Sequence, residues 1–243
     1  MRGPGGPALA SSLVPPYELI TMPTIVSIQV GQPTTYAYAG AADGKERSWT
    51  TAFFKMPVTG SVWAGTTNIA GDQQADRKNH GGVDKAVLAY SADHYAYWRQ
   101  HLGLPELPLG AFGENLSVSG LEEGTVCIGD QWRVGKVLFE ISQPRQPCWK
   151  LCRRWNIPDL AKQVIRNGRS GWYVRVCEEG ELTAGVALEL AARPRPQWTV
   201  ARANRVLYHE PDNVTGMEEL ANLPELSHAW REELLERIAR RGL

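Results

Sequence analysis

No excess of charge marks this chain. Its 26 lysines and arginines are matched by 26 aspartates and glutamates, so the net charge is zero. A dedicated nucleic-acid binder is usually basic, and no nucleic-acid partner is expected. There is no apolar run long enough to cross a membrane. The stretch Met1–Tyr17 is rich in proline and glycine and lacks the sustained apolar core of a secretory signal. Only four cysteines occur, Cys127, Cys148, Cys152 and Cys177. Without a secretory signal they are expected to be reduced thiols in a cytoplasmic protein. Cys148 and Cys152 are spaced C-x-x-x-C but have no second Cys/His pair at zinc-ribbon spacing, which argues against structural zinc. The cysteines are not spaced for an iron–sulfur cluster. No G-x-G-x-x-G turn joins a strand to a helix, so no dinucleotide site is evident.

What is present is glycine and proline, 24 and 16 in 243 residues, punctuating short apolar runs. That pattern suits a β-rich barrel or sandwich, and the length suits one large domain with or without an appendage. Residues 1–21 read as a disordered leader or an upstream extension. From Thr24 onward, Thr24–Val30, Trp49–Phe54, Val58–Trp63, Ala86–Tyr90, Leu116–Val118, Thr125–Ile128, Gln131–Val134, Val137–Ser142, Arg169–Val176 and Val186–Leu190 read as strands. Gln32–Arg47 reads as a loop. Ser91 is a candidate cap for a helix ending at Gly103, and a second helix follows Pro158 and ends at Gly168. The stiff link Arg193-Pro194-Arg195-Pro196 separates a β-rich domain, 22–192, from a helical segment, 197–243. There the stripes Val200/Ala203/Val206/Leu207, Met217/Leu220/Ala221 and Trp230/Leu234/Ile238 predict three helices, the last capped by Ser227.

Two stretches carry chemistry. In Ser142-Gln143-Pro144-Arg145-Gln146-Pro147-Cys148-Trp149-Lys150-Leu151, prolines hold the backbone extended and place a thiol among cations. Positive neighbours favour the thiolate, which is both nucleophile and metal ligand; the plain alternative is a small buried cysteine. The second, Gly71–Lys85, gathers Arg77, Lys78, His80 and Lys85 around Gly81-Gly82. Exposed backbone N–H groups and cations of this kind suit a phosphate or another anion. The same loop also reads as a solvated turn.

Lys78-Asn79-His80-Gly81-Gly82-Val83-Asp84-Lys85-Ala86-Val87, Phe112-Gly113-Glu114-Asn115-Leu116 and Gln143–Leu151, in this order and followed by helices, resemble the MOSC family, named for the C-terminal domain of molybdenum cofactor sulfurases. The nearer resemblance is to its YiiM-like bacterial branch, from Thr24 to the C-terminus. It implies a mainly β MOSC-type barrel with a few short helices and a C-terminal three-helix segment. It also implies the molybdenum cofactor, a pyranopterin dithiolene ending in a phosphate, with Cys148 as the metal ligand. The expected activity is reduction of N-hydroxylated compounds such as 6-N-hydroxylaminopurine to amines, a detoxification. Cys152 and the leader lie outside the family pattern.

On that reading Lys78, His80, Gly81, Lys85, Asn115 and Arg145 are candidate cofactor contacts. Trp172 and Trp149 are candidate walls for the pterin, and His80 and Glu114 are candidate proton donors. A neutral, hydrogen-bonded His80 is the equal alternative. Electrons would come from a separate flavoprotein reductase, for which Arg231, Arg237, Arg240 and Arg241 offer a docking face or merely solvate the last helix. The competing functional reading is a carrier or sulfur-transfer module that holds the cofactor without turnover.

Overall fold

β-Branched and aromatic residues in short runs set the architecture. In the first strand, β1 (Thr24–Val30), the two fully buried isoleucines are Ile25 and Ile28, three residues apart. A register shift between Ile25 and Ser27 lets both point inward. The computed structural model describes residues 22–38, 47–76 and 80–241; the expected leader lies outside them. The strands that follow are β2 (Thr34–Tyr38), β3 (Arg47–Thr51), β4 (Met56–Pro57), β5 (Val62–Gly65), β6 (Asn68–Ile69) and β7 (Val87–Ser91). Helix α1 (His94–Leu102) leads to β8 (Leu116–Ser119), β9 (Gln131–Val134) and β10 (Val137–Pro144). Helices α2 (Trp149–Trp155) and α3 (Leu160–Asn167) precede β11 (Trp172–Glu178), β12 (Gly180–Leu182) and β13 (Glu189–Ala192). Helices α4 (Val200–Tyr208), α5 (Val214–Ala221) and α6 (His228–Ala239) complete the chain.

Eight strands form one sheet in the order β13-β9-β10-β11-β7-β8-β1-β4, with β7 and β8 parallel. The segment entering β13 bonds back to the first strand: Ile25 N–H donates to Val186 O at 3.0 Å and Gly185 N–H to Ile25 O at 2.7 Å. Those bonds bring the two ends of the sheet together around a core of Ile25, Val118, Phe139, Ile141, Trp172 and Val174. The same core continues into Val206, Leu220, Trp230 and Leu234, so the three C-terminal helices pack on the barrel rather than beside it. Their caps are Thr199, Asn213 and Ser227, each accepting from a backbone N–H of its first turn. Asp84 ties them on: its carboxylate accepts from Arg175 Nε at 2.7 Å and from His228 N–H at 3.0 Å.

Several expectations are corrected. Part of the presumed loop 32–47 is strand β2, whose Thr35 hydroxyl meets Thr50 on β3 at 2.8 Å. Residues 125–128 form a turn held by the Asp130 carboxylate on Cys127 N–H at 2.8 Å, with a single bridge to Thr199. Ser91 ends β7, and Asp93 occupies the helix cap. Helix α2 was not expected because Trp-Lys-Leu-Cys-Arg-Arg-Trp has no clean apolar period; Asn156 at φ 53° terminates it. Apart from these corrections, the C-terminal arginines bond within their own segment, while Arg240 stays largely exposed. Arg231 bonds Ala221 O and Leu223 O, Arg237 pairs with Glu233, Arg240 with Glu236 and Arg241 with Asp212. No helix among the described residues is long and apolar enough to cross a membrane.

Candidate active site

Leu88 on β7 lies opposite Tyr173 on β11. Their neighbours Val87, Ala89, Trp172 and Val174 fill the core, so strand alternation turns Leu88 and Tyr173 to the other face. On that face opens a cavity lined by polar and charged side chains. Its walls are the end of β3, residues 72–76, His80, Lys85, Asn115 and the run after β10 that carries Arg145, Cys148 and Lys150.

Pro144 closes β10 and Pro147 precedes the thiol, holding the connection extended. Cys148 then takes φ −120°, ψ 170° at the cap position of α2, with a half-buried free thiol on the cavity. Arg145 is 3% exposed. Its Nη2 donates to Phe112 O at 3.0 Å, while its Nη1 is buried with no partner among the described residues. Lys150 is buried and makes no ion pair with a described carboxylate. Four cations (Lys55, Lys85, Arg145, Lys150) and two carboxylates (Asp72, Asp76) line the cavity, so it is net cationic. Lys55 and Asp72 form a buried ion pair on its floor, and Asp72 also accepts from Gly31 N–H at 2.7 Å. Burial lowers the pKa of both Lys55 and Lys85.

His80 is brought in, but not as an acid. Burial, followed by the charge of Lys150, lowers its pKa from 6.5 to about 4. Its imidazole is therefore neutral at pH 7, able to hydrogen-bond but not to supply a proton as imidazolium. The linkage has a definite sign. Between pH 6.5 and about 4 the unfolded chain holds this proton and the folded chain does not. Stability should therefore fall as pH drops through that window. An NMR titration of the His80 ring should give a midpoint below 5; a midpoint at or above 6.5 would contradict this cavity electrostatics.

Other candidates are placed elsewhere. Glu114 is fully buried and is a structural acceptor: it takes bonds from Tyr95 Oη, Gly110 N–H (2.7 Å), Phe112 N–H (3.1 Å) and Ser117 Oγ (3.0 Å). It shapes the turn whose Phe112 carbonyl holds Arg145. Asn115 touches the cavity, but its amide spans two strands, accepting from Leu88 N–H and donating to Gln29 O, both at 3.2 Å. Trp172 points into the barrel core, one residue out of phase with the cavity face. Gly81 is not part of the cavity wall. Lys78 lies outside the described residues.

Tyr173 was missed, although strand alternation exposes it: if Val174 and Val176 face inward, Tyr173 faces out. Its phenol is pushed up to about 12, chiefly by burial, so it keeps its proton at neutral pH. Lys55 and Asp72 had no local pattern to reveal them, since only the fold joins them.

These residues fit a thiolate-bound metal whose organic ligand ends in an anion. No group of three or more His, Cys, Asp or Glu among the described residues could hold a metal alone. A soft metal on Cys148 would take its remaining ligands from an organic group. The unpartnered Arg145 Nη1 and the Lys150 ammonium are suited to a phosphate.

The MOSC domain model matches residues 76–189, and the YiiM-like 3-alpha helix domain model matches residues 198–241. YflK of Bacillus subtilis (strain 168) is 40% identical over 88% of this chain and 94% of its own length. A protein named "Reductase" from Gibberella moniliformis is 38% identical over 72% of this chain, a match spanning 32% of that protein. The crystal structure of YiiM from Geobacillus stearothermophilus superposes with a TM-score of 0.73 at 38% identity, covering 89% of this chain and 99% of that one.

Proposed function

This chain belongs to the MOSC domain family, in the YiiM-like branch, and from that premise we propose that it is a molybdenum-cofactor-dependent oxidoreductase reducing N-hydroxylated compounds to amines. The observation that carries this reading is one cavity holding a free thiol, a buried guanidinium nitrogen with no partner among the described residues, and a buried lysine. The name of the Gibberella moniliformis relative, "Reductase", is in keeping with redox chemistry.

Cys148 is the metal ligand in this reading. Arg145, Lys150 and Lys85 hold the cofactor's phosphate. When bound, the molybdenum centre supplies the two electrons that an N–OH group needs to become N–H and water. Two protons are also consumed. The Tyr173 phenol and neutral His80 stand on the cavity to hydrogen-bond and orient the N-hydroxyl group, and solvent supplies the protons. A separate flavoprotein reductase delivers the electrons, and dithionite can replace it. NADH or NADPH alone should drive no turnover.

Elemental analysis of protein from a molybdenum-replete host tests the cofactor reading: stoichiometric molybdenum is expected, and metal-free protein would overturn it. Arg145→Ala should lower cofactor content more than Arg145→Lys. A charge-assisted contact of this kind is worth on the order of 1.5–3 kcal/mol, so a loss of tenfold or more in affinity is expected. Unchanged content in Arg145→Ala would place the phosphate elsewhere.

A further inference from the structure

Trp149 stands between two residues of the cavity wall, Cys148 and Lys150, yet its own side is 53% exposed. It is not a loose surface indole. The rings of Trp49 and Trp149 have centroids 5.3 Å apart at 53°. The Arg153 guanidinium sits 4.6 Å from the Trp149 centroid and 5.4 Å from that of Trp49. Trp49 is itself buried, with Phe54 at 5.9 Å and, behind that, Tyr36 at 4.4 Å from Phe54. Helix α2 and the β2–β3 pair therefore brace the indole, and half of it stays open to solvent, on a residue flanked in the chain by two cavity-wall residues.

A braced ring loses little rotamer entropy when a ligand stacks on it. An indole face left open in this way suits a flat aromatic ring in offset stacking. The cavity wall adds two consecutive amides, Gln73 and Gln74, each with donors and an acceptor for the edge of a heterocycle.

We propose that Trp149, braced by Trp49 and Arg153, is the stacking platform for a planar heteroaromatic ring of the substrate, whose edge is met by Gln73 and Gln74 while its N-hydroxyl group enters the Cys148 cavity. This rests on the reductase reading, and it reassigns Trp149, a candidate pterin wall from sequence, to substrate specificity.

The test uses the full chain and adenine as a non-reacting probe, followed by calorimetry and by the shift of the Trp149 indole N–H. Trp149→Leu should weaken adenine binding about tenfold or more, the loss expected for one base stacked on an aromatic ring. Trp149→Phe should recover much of that loss, with near-UV circular dichroism confirming the fold of both. Trp63→Leu removes another half-exposed tryptophan, on β5, and should leave binding unchanged. Wild-type protein that does not bind adenine, or Trp149→Leu with unchanged affinity, overturns the platform. Molybdenum content of the same samples separates the two readings. Metal-free protein that binds adenine through Trp149 removes the reductase and keeps the platform. Molybdenum-loaded protein whose adenine affinity ignores Trp149 removes the platform alone.

Discussion

Cys148→Ser is expected to leave the protein folded and to strip it of molybdenum. The thiol is half-buried and makes no hydrogen bond among the described residues, so replacing sulfur by oxygen disturbs little packing. The metal site changes far more, because a serine hydroxyl is a harder ligand and does not ionise near neutral pH. The other cysteines serve as controls. Cys152 lies one turn along α2, its sulfur accepting from Ala161 N–H at 3.4 Å and its side chain packed against the buried cluster that includes Leu151, Leu160 and Val164. Cys127 is buried, its thiol directed to Pro196 O at 3.5 Å. Serine at either position should keep the metal. Elemental analysis beside a thermal melt decides the matter; full molybdenum in folded Cys148→Ser would refute the ligand assignment.

Glu114→Ala should do the opposite, damaging the fold before the chemistry. The carboxylate accepts from two backbone N–H groups and two hydroxyls, all buried. Each donor left without a partner costs about 1–3 kcal/mol, and together the loss is on the order of 5 kcal/mol. A domain's whole stability is roughly 5–15 kcal/mol. Lys55 and Arg154 add to the loss, since each feels the Glu114 charge. Glu114→Gln keeps an acceptor and should be milder. Chemical denaturation gives the ranking wild type, then Gln, then Ala. A Glu114→Ala protein with wild-type stability and no turnover would return this residue to the proton-transfer chemistry.

The contrast between those two residues shows how far the sequence could be read. A thiol beside Pro147, with Arg145 and Lys150 close in the chain, announces itself because local geometry alone gathers the charges. The third C-terminal helix was legible for the same reason: Ser227 and an apolar stripe at i, i+4, i+8 are local features. Glu114 was misread because a carboxylate in a Gly-rich turn looks available until Tyr95 and Ser117 are folded onto it. Trp172 was misread by one residue, and in a strand one residue separates the core from the opposite face. His80 lines the cavity. Its neutrality depends on burial and on Lys150, which is 70 positions away in sequence. What was not legible depends on long-range contacts, as the Lys55–Asp72 pair illustrates.

The central claim, reduction rather than storage or transfer of the cofactor, is tested most directly by supplying the molybdenum-loaded full chain with 6-N-hydroxylaminopurine and dithionite and measuring adenine. The account predicts adenine formed over many turnovers by loaded protein, above the background with metal-free protein. Loaded protein that leaves the hydroxylamine unreduced, or metal-free protein that reduces it equally well, would contradict it.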